Sequence, residues 1–208
     1  MRLKNVKGAN EIIVNGVYYV TEPSLYKGKW NSFFGNDNPI YIEIGMGKGD
    51  FIIQNAIEYP NINFIGIEKY DSVISRAVQK VPEGINNLLF LRMDAKDIEK
   101  VFDKEVDRLY LNFSDPWPKD RHARRRLTSD EFLNRYENIF KKDKEIHQKT
   151  DNRNLFEFSV ISLVNNGYKL EDLSLDLHNS NRENIIMSEY EKKFVSRNNV
   201  IYYLVAKK

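Results

Sequence analysis

The stretch Tyr41-Ile42-Glu43-Ile44-Gly45-Met46-Gly47-Lys48-Gly49-Asp50-Phe51, "YIEIGMGKGDF", sets three glycines behind a short alternating apolar run. A strand that ends in glycines and opens into a helical pattern is how α/β sheets present backbone to a nucleotide. The spacing is G-x-G-x-G, not the G-x-G-x-x-G of the dinucleotide fingerprint. A carboxylate, Glu43, also lies inside the strand, where a dinucleotide fold would place a hydrophobic side chain.

Strand and helix patterns alternate on both sides of this turn. "PIYIEIGM" (39–46), "NFIGIE" (63–68), "NLLFLRMDA" (87–95), "RLYLNFSD" (108–115) and "EIHQKTD" (145–151) read as strands. Between them, "DFIIQNAIEYP" (50–60), "YDSVISRAVQKV" (70–81) and "SDEFLNRYENIFK" (129–141) have helical spacing, with Ser129 a candidate N-cap. After the fifth strand come a helix over "NLFEFSVISLVNNG" ending at Gly167, a strand over 170–178, a charged helix over 188–196 and a last strand over 200–206. This order predicts an α/β fold with a mostly parallel sheet. No repeat and no linker rich in Pro, Gly or Ser interrupts it, so one domain over 1–208 is expected, with the first 30 residues the least defined.

The chain has 208 residues, 41% of them hydrophobic and 30% charged, which is ordinary for a globular protein. No apolar run approaches the roughly 18 residues of a membrane span. The start, "MRLKNVKGANEII", lacks the apolar core of a signal peptide, so a cytoplasmic protein without membrane attachment is expected. There is no cysteine, which excludes disulfides, thiolate metal sites and a cysteine nucleophile. No metal site is expected.

In open parallel sheets ligands bind beyond the carboxyl ends of the strands. Those ends carry Glu43 with Gly45, Gly47 and Gly49, then Glu68, Asp94, Asp115 and Asp151. Each alone reads equally as a helix cap or turn residue. Together they make a cavity wrong for a pyrophosphate and suited to a cation bearing hydroxyls and an amine, which describes S-adenosylmethionine. Glu43 is expected to anchor the turn and the ammonium end, Glu68 to take the ribose hydroxyls, and Asp94 to accept from the adenine amine.

Past the fourth strand, "LNFSDPWPKDRHARRRLT" (111–128) runs through a Pro-Trp-Pro turn into a basic segment, where Lys119, Arg121, Arg124, Arg125 and Arg126 face one acid, Asp120. The prolines fix the backbone around Trp117. A charge run is most often a solvated face. Beside a candidate active site, it points to phosphate binding.

These residues resemble the bacterial tRNA (guanine-N7-)-methyltransferases. The motifs are "EIGMGKG", "GIEKY", "DPWPKDRHARRRL", "KTDNRNLFEFS", "LDLHNSN" and "SEYEKKF", in order over about residues 40–205. The resemblance implies a Rossmann-like class I methyltransferase with a mostly parallel seven-stranded sheet, helices on both faces and one antiparallel strand near the end. It implies methyl transfer from S-adenosylmethionine to N7 of a guanine in the tRNA variable loop. By motif it places cofactor contacts at Glu43, Glu68, Asp94 and Asp115. It places substrate contacts at Lys119, Arg121, His122, Ala123, Arg124, Arg125, Arg126, Asp151, Ser188, Glu189, Tyr190 and Glu191. Three features depart from the family pattern: Ser188 where Thr is common, "KKDKEI" (141–146) in place of a Gly-Gly turn, and no arginine before the alanine of the last strand. The partner implied is tRNA, not DNA, and the protein is expected as a monomer or homodimer.

Guanine N7 carries an in-plane lone pair and attacks without losing a proton, so no general base is required. Asp115 is the expected catalytic carboxylate, with Asp151 in reserve. Three alternatives compete. An exocyclic-amine methyltransferase would use N-P-P-Y or D-P-P-Y, whereas Trp117 and Pro118 occupy the last two positions here. A dehydrogenase is disfavoured by the glycine spacing and Glu43. A non-catalytic RNA-binding module on the same fold is disfavoured by the retained carboxylates.

Overall fold

The computed structural model describes residues 17–208 and contains β1 (Tyr19–Val20), α1 (Trp30–Phe34), β2 (Ile40–Ile44), α2 (Asp50–Glu58), β3 (Asn63–Glu68), α3 (Asp71–Val78), β4 (Leu88–Arg92), β5 (Val106–Asn112), α4 (Asp130–Tyr136), β6 (Phe140–Thr150), α5 (Arg153–Asn165), β7 (Lys169–Ser174), α6 (Glu189–Val195) and β8 (Tyr202–Lys207). The strands form one sheet in the order β1-β4-β3-β2-β5-β6-β8-β7. Among the described strands, β8 alone runs opposite to the others, antiparallel to β6 and to β7. The polar start of the chain lies outside the described residues.

The sheet has eight strands, not seven. The extra one, β1, is a two-residue parallel pairing of Tyr19 with Phe90 and Val20 with Leu91. Two residues are too few to show a period, so no sequence pattern announces it.

Strand alternation sends two sets of side chains to opposite faces. Ile42, Ile65, Leu89, Leu109 and Ile146 meet Trp30, Phe132, Tyr136 and Phe156 from α1, α4 and α5. Phe64, Leu88, Phe90 and Tyr110 meet Phe51, Ile52, Ile74 and Ala77 from α2 and α3. Helices therefore cover both faces. Among the described residues, no helix is long and apolar enough to cross a membrane.

Two local expectations change. Ser129 does stand at the N-cap of α4, but its hydroxyl donates to Arg124 O at 3.0 Å and makes no cap bond. The segment "KKDKEI" is not a free turn. The chain is already in β6 at Phe140, and the register jumps from Val106–Phe140 to Arg108–Glu145, so a bulge absorbs the intervening residues. Lys144 exchanges two backbone hydrogen bonds with Lys208, and these hold the bulge to the end of the described chain.

Strand order reverses between β2 and β5, because β3 lies on one side of β2 and β5 on the other. The carboxyl ends of these strands are where an open α/β sheet leaves a crevice.

Candidate active site

The glycine turn leaves β2 with Gly45, Gly47 and Gly49 all at positive φ (77°, 57° and 79°). A Cβ at 45 or 47 would face open space, so the backbone there is free to meet a ligand; at 49 it would lie 3.0 Å from Ala77 Cβ, where the turn packs on α3. Gly45 N and Met46 N donate to Ile67 O at 2.8 and 3.1 Å. Glu68 then closes the turn, accepting from Gly47 N at 3.3 Å through one oxygen and from Lys69 N and Tyr70 N at 2.7 and 3.3 Å through the other. Burial pushes the Glu68 pKa up, against the pull of these three amides.

Glu43 does not hold the turn as expected. It is 1% exposed and accepts from Asn112 Nδ2 at 2.8 Å, while Oε2 has no hydrogen-bond partner among the described residues. Burial raises its pKa to about 7, with Asn112 and Lys149 pulling the other way. Asp94 caps the 3-10 segment Ala95–Lys100 by accepting from Lys96 N at 3.2 Å, and it pairs with Lys69 Nζ at 2.9 Å. Burial works against its charge, but these contacts prevail and lower its pKa. An unpaired buried carboxylate oxygen, an exposed backbone cradle and two strand-end acids fit a cationic nucleoside.

Asp115 lies exposed beyond β5, and its charge reaches Glu68. Phe113 and Trp117, on either side of it, sit at φ 53° and 42°. Such backbone costs of order 1–3 kcal/mol per residue and gathers at functional sites. The Trp117 ring has His122 edge-on at 5.8 Å and the Arg125 guanidinium 4.9 Å from its centroid.

The basic segment is a 3-10 turn over Asp120–Arg125. Lys119, Arg121, Arg124 and Arg125 are exposed, and His122 and Ala123 are half-buried. Arg126 is different. It is buried, donates from Nε to Pro116 O and from Nη2 to Trp117 O at 3.1 Å each, and lies over the Phe158 ring at 4.4 Å. It ties the Pro-Trp-Pro turn to α5. The run therefore offers two outward arginines in sequence, not three.

The stretch from Ser188 to Glu191 divides in the same way. Ser188 and Glu191 form a capping box on α6, and Glu191 is fully buried against Lys149 and His178. Glu189 reaches across to the glycine turn, 2.5 Å from Lys48 Nζ. Tyr190 is 44% exposed, stacks on Phe194 at 4.1 Å and tilts against Phe113 at 4.9 Å. Its pKa is raised by burial and by the neighbouring Asp151 carboxylate. Thus Glu43, Glu68, Asp94, Asp115, Asp151, Glu189 and Tyr190 gather at one end of the sheet, while Arg126 and Glu191 turn inward.

Asn112, Lys149, His178 and Lys48 also belong to this end of the sheet, beyond the residues the sequence singles out. Asn112 and Lys149 are register partners at the ends of β5 and β6. The signal was available, since a polar side chain at an inward position of a central strand needs a buried partner.

A family described as putative methyltransferase matches residues 37–204. A relative from Lachnoclostridium phytofermentans, named tRNA (guanine-N(7)-)-methyltransferase, is 54% identical over 99% of this chain and 98% of its own. One of the same name from Bacillus velezensis is 50% identical over 97% and 94%. A structure described as an antibiotic related methyltransferase superposes with a TM-score of 0.64 at 18% identity, covering 87% of this chain and 92% of that one. A 16S rRNA (adenine(1408)-N(1))-methyltransferase from Catenulisporales acidiphilia, solved with cosubstrate SAM, gives 0.60 at 16% over 86% and 90%. At those identities the solved structures share the class I methyltransferase fold and no more. The two relatives go further, because half of all positions agree along nearly the full length of both chains: the protein belongs to the bacterial tRNA (guanine-N(7)-)-methyltransferases.

Proposed function

We propose that the protein transfers a methyl group from S-adenosylmethionine to N7 of a guanine in the tRNA variable loop. The observation that carries this reading is the meeting of two halves. The Lys48–Glu189 ion pair joins the glycine turn to α6, so the cofactor cradle and the 188–191 stretch share one end of the sheet. Bound S-adenosylmethionine supplies an electrophilic methyl group on a sulfonium. Gly45 and Gly47 would lie against it, Glu68 would accept from its ribose hydroxyls, and Glu43 and Asp94 would face its ammonium and adenine ends.

The guanine must be held in line with the methyl group, and its ring becomes cationic as N7 is alkylated. Asp115 would do both, by accepting from the base's N–H groups and facing the new charge. Asp151, whose charge reaches Tyr190, is the secondary candidate. Exposed Arg124 and Arg125, with Lys119 and Arg121, would take the tRNA phosphates. The direct test is incubation with methyl-labelled S-adenosylmethionine and unmodified tRNA. Label should appear in tRNA, and the same protein should show no binding of NAD.

A further inference from the structure

Lys149 stands at the end of β6 with its ammonium buried, 8% exposed at the side chain. Its three donors are all taken: Ile186 O at 2.8 Å, Glu191 Oε1 at 3.1 Å and Glu191 Oε2 at 3.0 Å. Glu191 is equally occupied, also accepting from Ser188 N at 3.4 Å and pairing with His178 Nε2 at 2.9 Å. A single carboxylate thus joins β6, the 3-10 segment Leu177–Asn179 and the first turn of α6. Between the second and third of these runs a connection without regular structure, from 180 to 188. Arg182 pins its start to Asp172 and to Leu173 O, and this cluster fastens its far end.

What the fastening positions is the substrate side of the site. Glu189 and Tyr190 flank the junction. The first contacts Lys48 of the glycine turn, and the second lies against Phe113, within reach of the Asp151 charge. We infer that Lys149 is a positioning residue for methyl transfer: through the buried Glu191 it locks the 180–188 strap and α6, and so sets Tyr190 and Asp151 in the geometry the target base requires. Glu191 then acts from inside the protein and not as an RNA contact. This inference rests on the tRNA methyltransferase reading.

Displacing catalytic groups by about 1 Å from a remote position costs up to roughly a hundredfold in rate. Lys149→Met should therefore lower kcat on tRNA, read at saturating S-adenosylmethionine, by roughly ten- to a hundredfold, with the salt dependence of tRNA binding unchanged. Amide hydrogen exchange over 180–195, measured without tRNA, should accelerate in the same variant. Lys149→Arg, which keeps charge and donors, should restore part of the rate. Should Lys149→Met fail to fold, Lys149→Met/Glu191→Leu removes both buried charges, an exchange proteins often tolerate. The double variant should regain thermal stability while kcat stays low, because Ile186 O, Ser188 N and His178 have lost their partner. Recovery of kcat together with stability, or wild-type kcat in Lys149→Met, would overturn the inference and leave the pair a stability element only. A wild type that transfers no methyl group to tRNA would refute the functional reading instead. The exchange arm still reads the strap, and unaccelerated exchange in Lys149→Met would overturn the fastening itself.

Discussion

Asn112 Nδ2 donates to Glu43 Oε1 at 2.8 Å across the β2–β5 boundary, and it is the one hydrogen-bond partner Glu43 has among the described residues. The carboxylate is otherwise enclosed, which is why its pKa climbs from 4.5 to about 7. The folded state thus binds the Glu43 proton more tightly than the unfolded chain does. Stability from this site is fully present below pH 4.5 and is lost as pH rises towards about 7. Glu43→Gln keeps an acceptor for Asn112 and removes the titration. Across that window its melting temperature should gain steadily on the wild type's as pH increases. A difference that stays constant with pH would show that Glu43 does not titrate there.

Glu68 is expected to serve twice, holding the Gly47 amide and accepting from the ribose. Glu68→Ala removes half-buried acceptors worth roughly 1–3 kcal/mol, so calorimetry should show S-adenosylmethionine binding weakened by about ten- to a hundredfold. The melting temperature should also drop, since the turn loses its closure. Affinity at the wild-type level would move the ribose contact elsewhere.

Much of this site could be read from the chain. The β2 glycine run, the strand-end acids and the charged helix that becomes α6 follow from local patterns, where side-chain type and spacing decide the outcome. What was not legible depends on which way a residue turns after the chain has packed. Arg126 belongs by composition to a basic run, yet it faces inward because Pro116 O and Trp117 O need donors. Glu191 lies in a stretch assigned by resemblance to substrate, but Lys149, 42 positions earlier, claims it. Glu68 and not Glu43 holds the glycine turn, because the cross-strand partner that claims Glu43 is visible only once β5 is beside β2. β1 pairs over two residues, below any periodic signal.

The inward turn of Arg126 changes what the basic segment should do in salt. Arg124→Gln/Arg125→Gln should flatten the slope of log K against log salt for tRNA binding by roughly one to two units, with folding unaffected. Arg126→Gln should leave that slope alone and instead lower the melting temperature, because two charged hydrogen bonds and a ring contact are lost. An unchanged slope in the double variant would mean these side chains form a solvated face and the RNA path lies elsewhere.

Asp115 is exposed, so Asp115→Asn should hardly move thermal unfolding. Single-turnover methylation should nevertheless slow by about two or more powers of ten, the scale of losing one preorganised polar group. Asp151→Asn should act differently, disturbing Tyr190 as well. If Asp115→Asn keeps a near-wild-type rate and Asp151→Asn does not, the carboxylate facing the base is Asp151.

The most direct measurement is to methylate unmodified tRNA with the purified protein and then locate the product by borohydride reduction and aniline cleavage, which cut the chain at N7-methylguanine. One cut is expected, at a guanine in the variable loop, dependent on S-adenosylmethionine and absent without the protein. Transfer of label to tRNA with no such cleavage would contradict methylation at N7, and a cut outside the variable loop would contradict the assigned target.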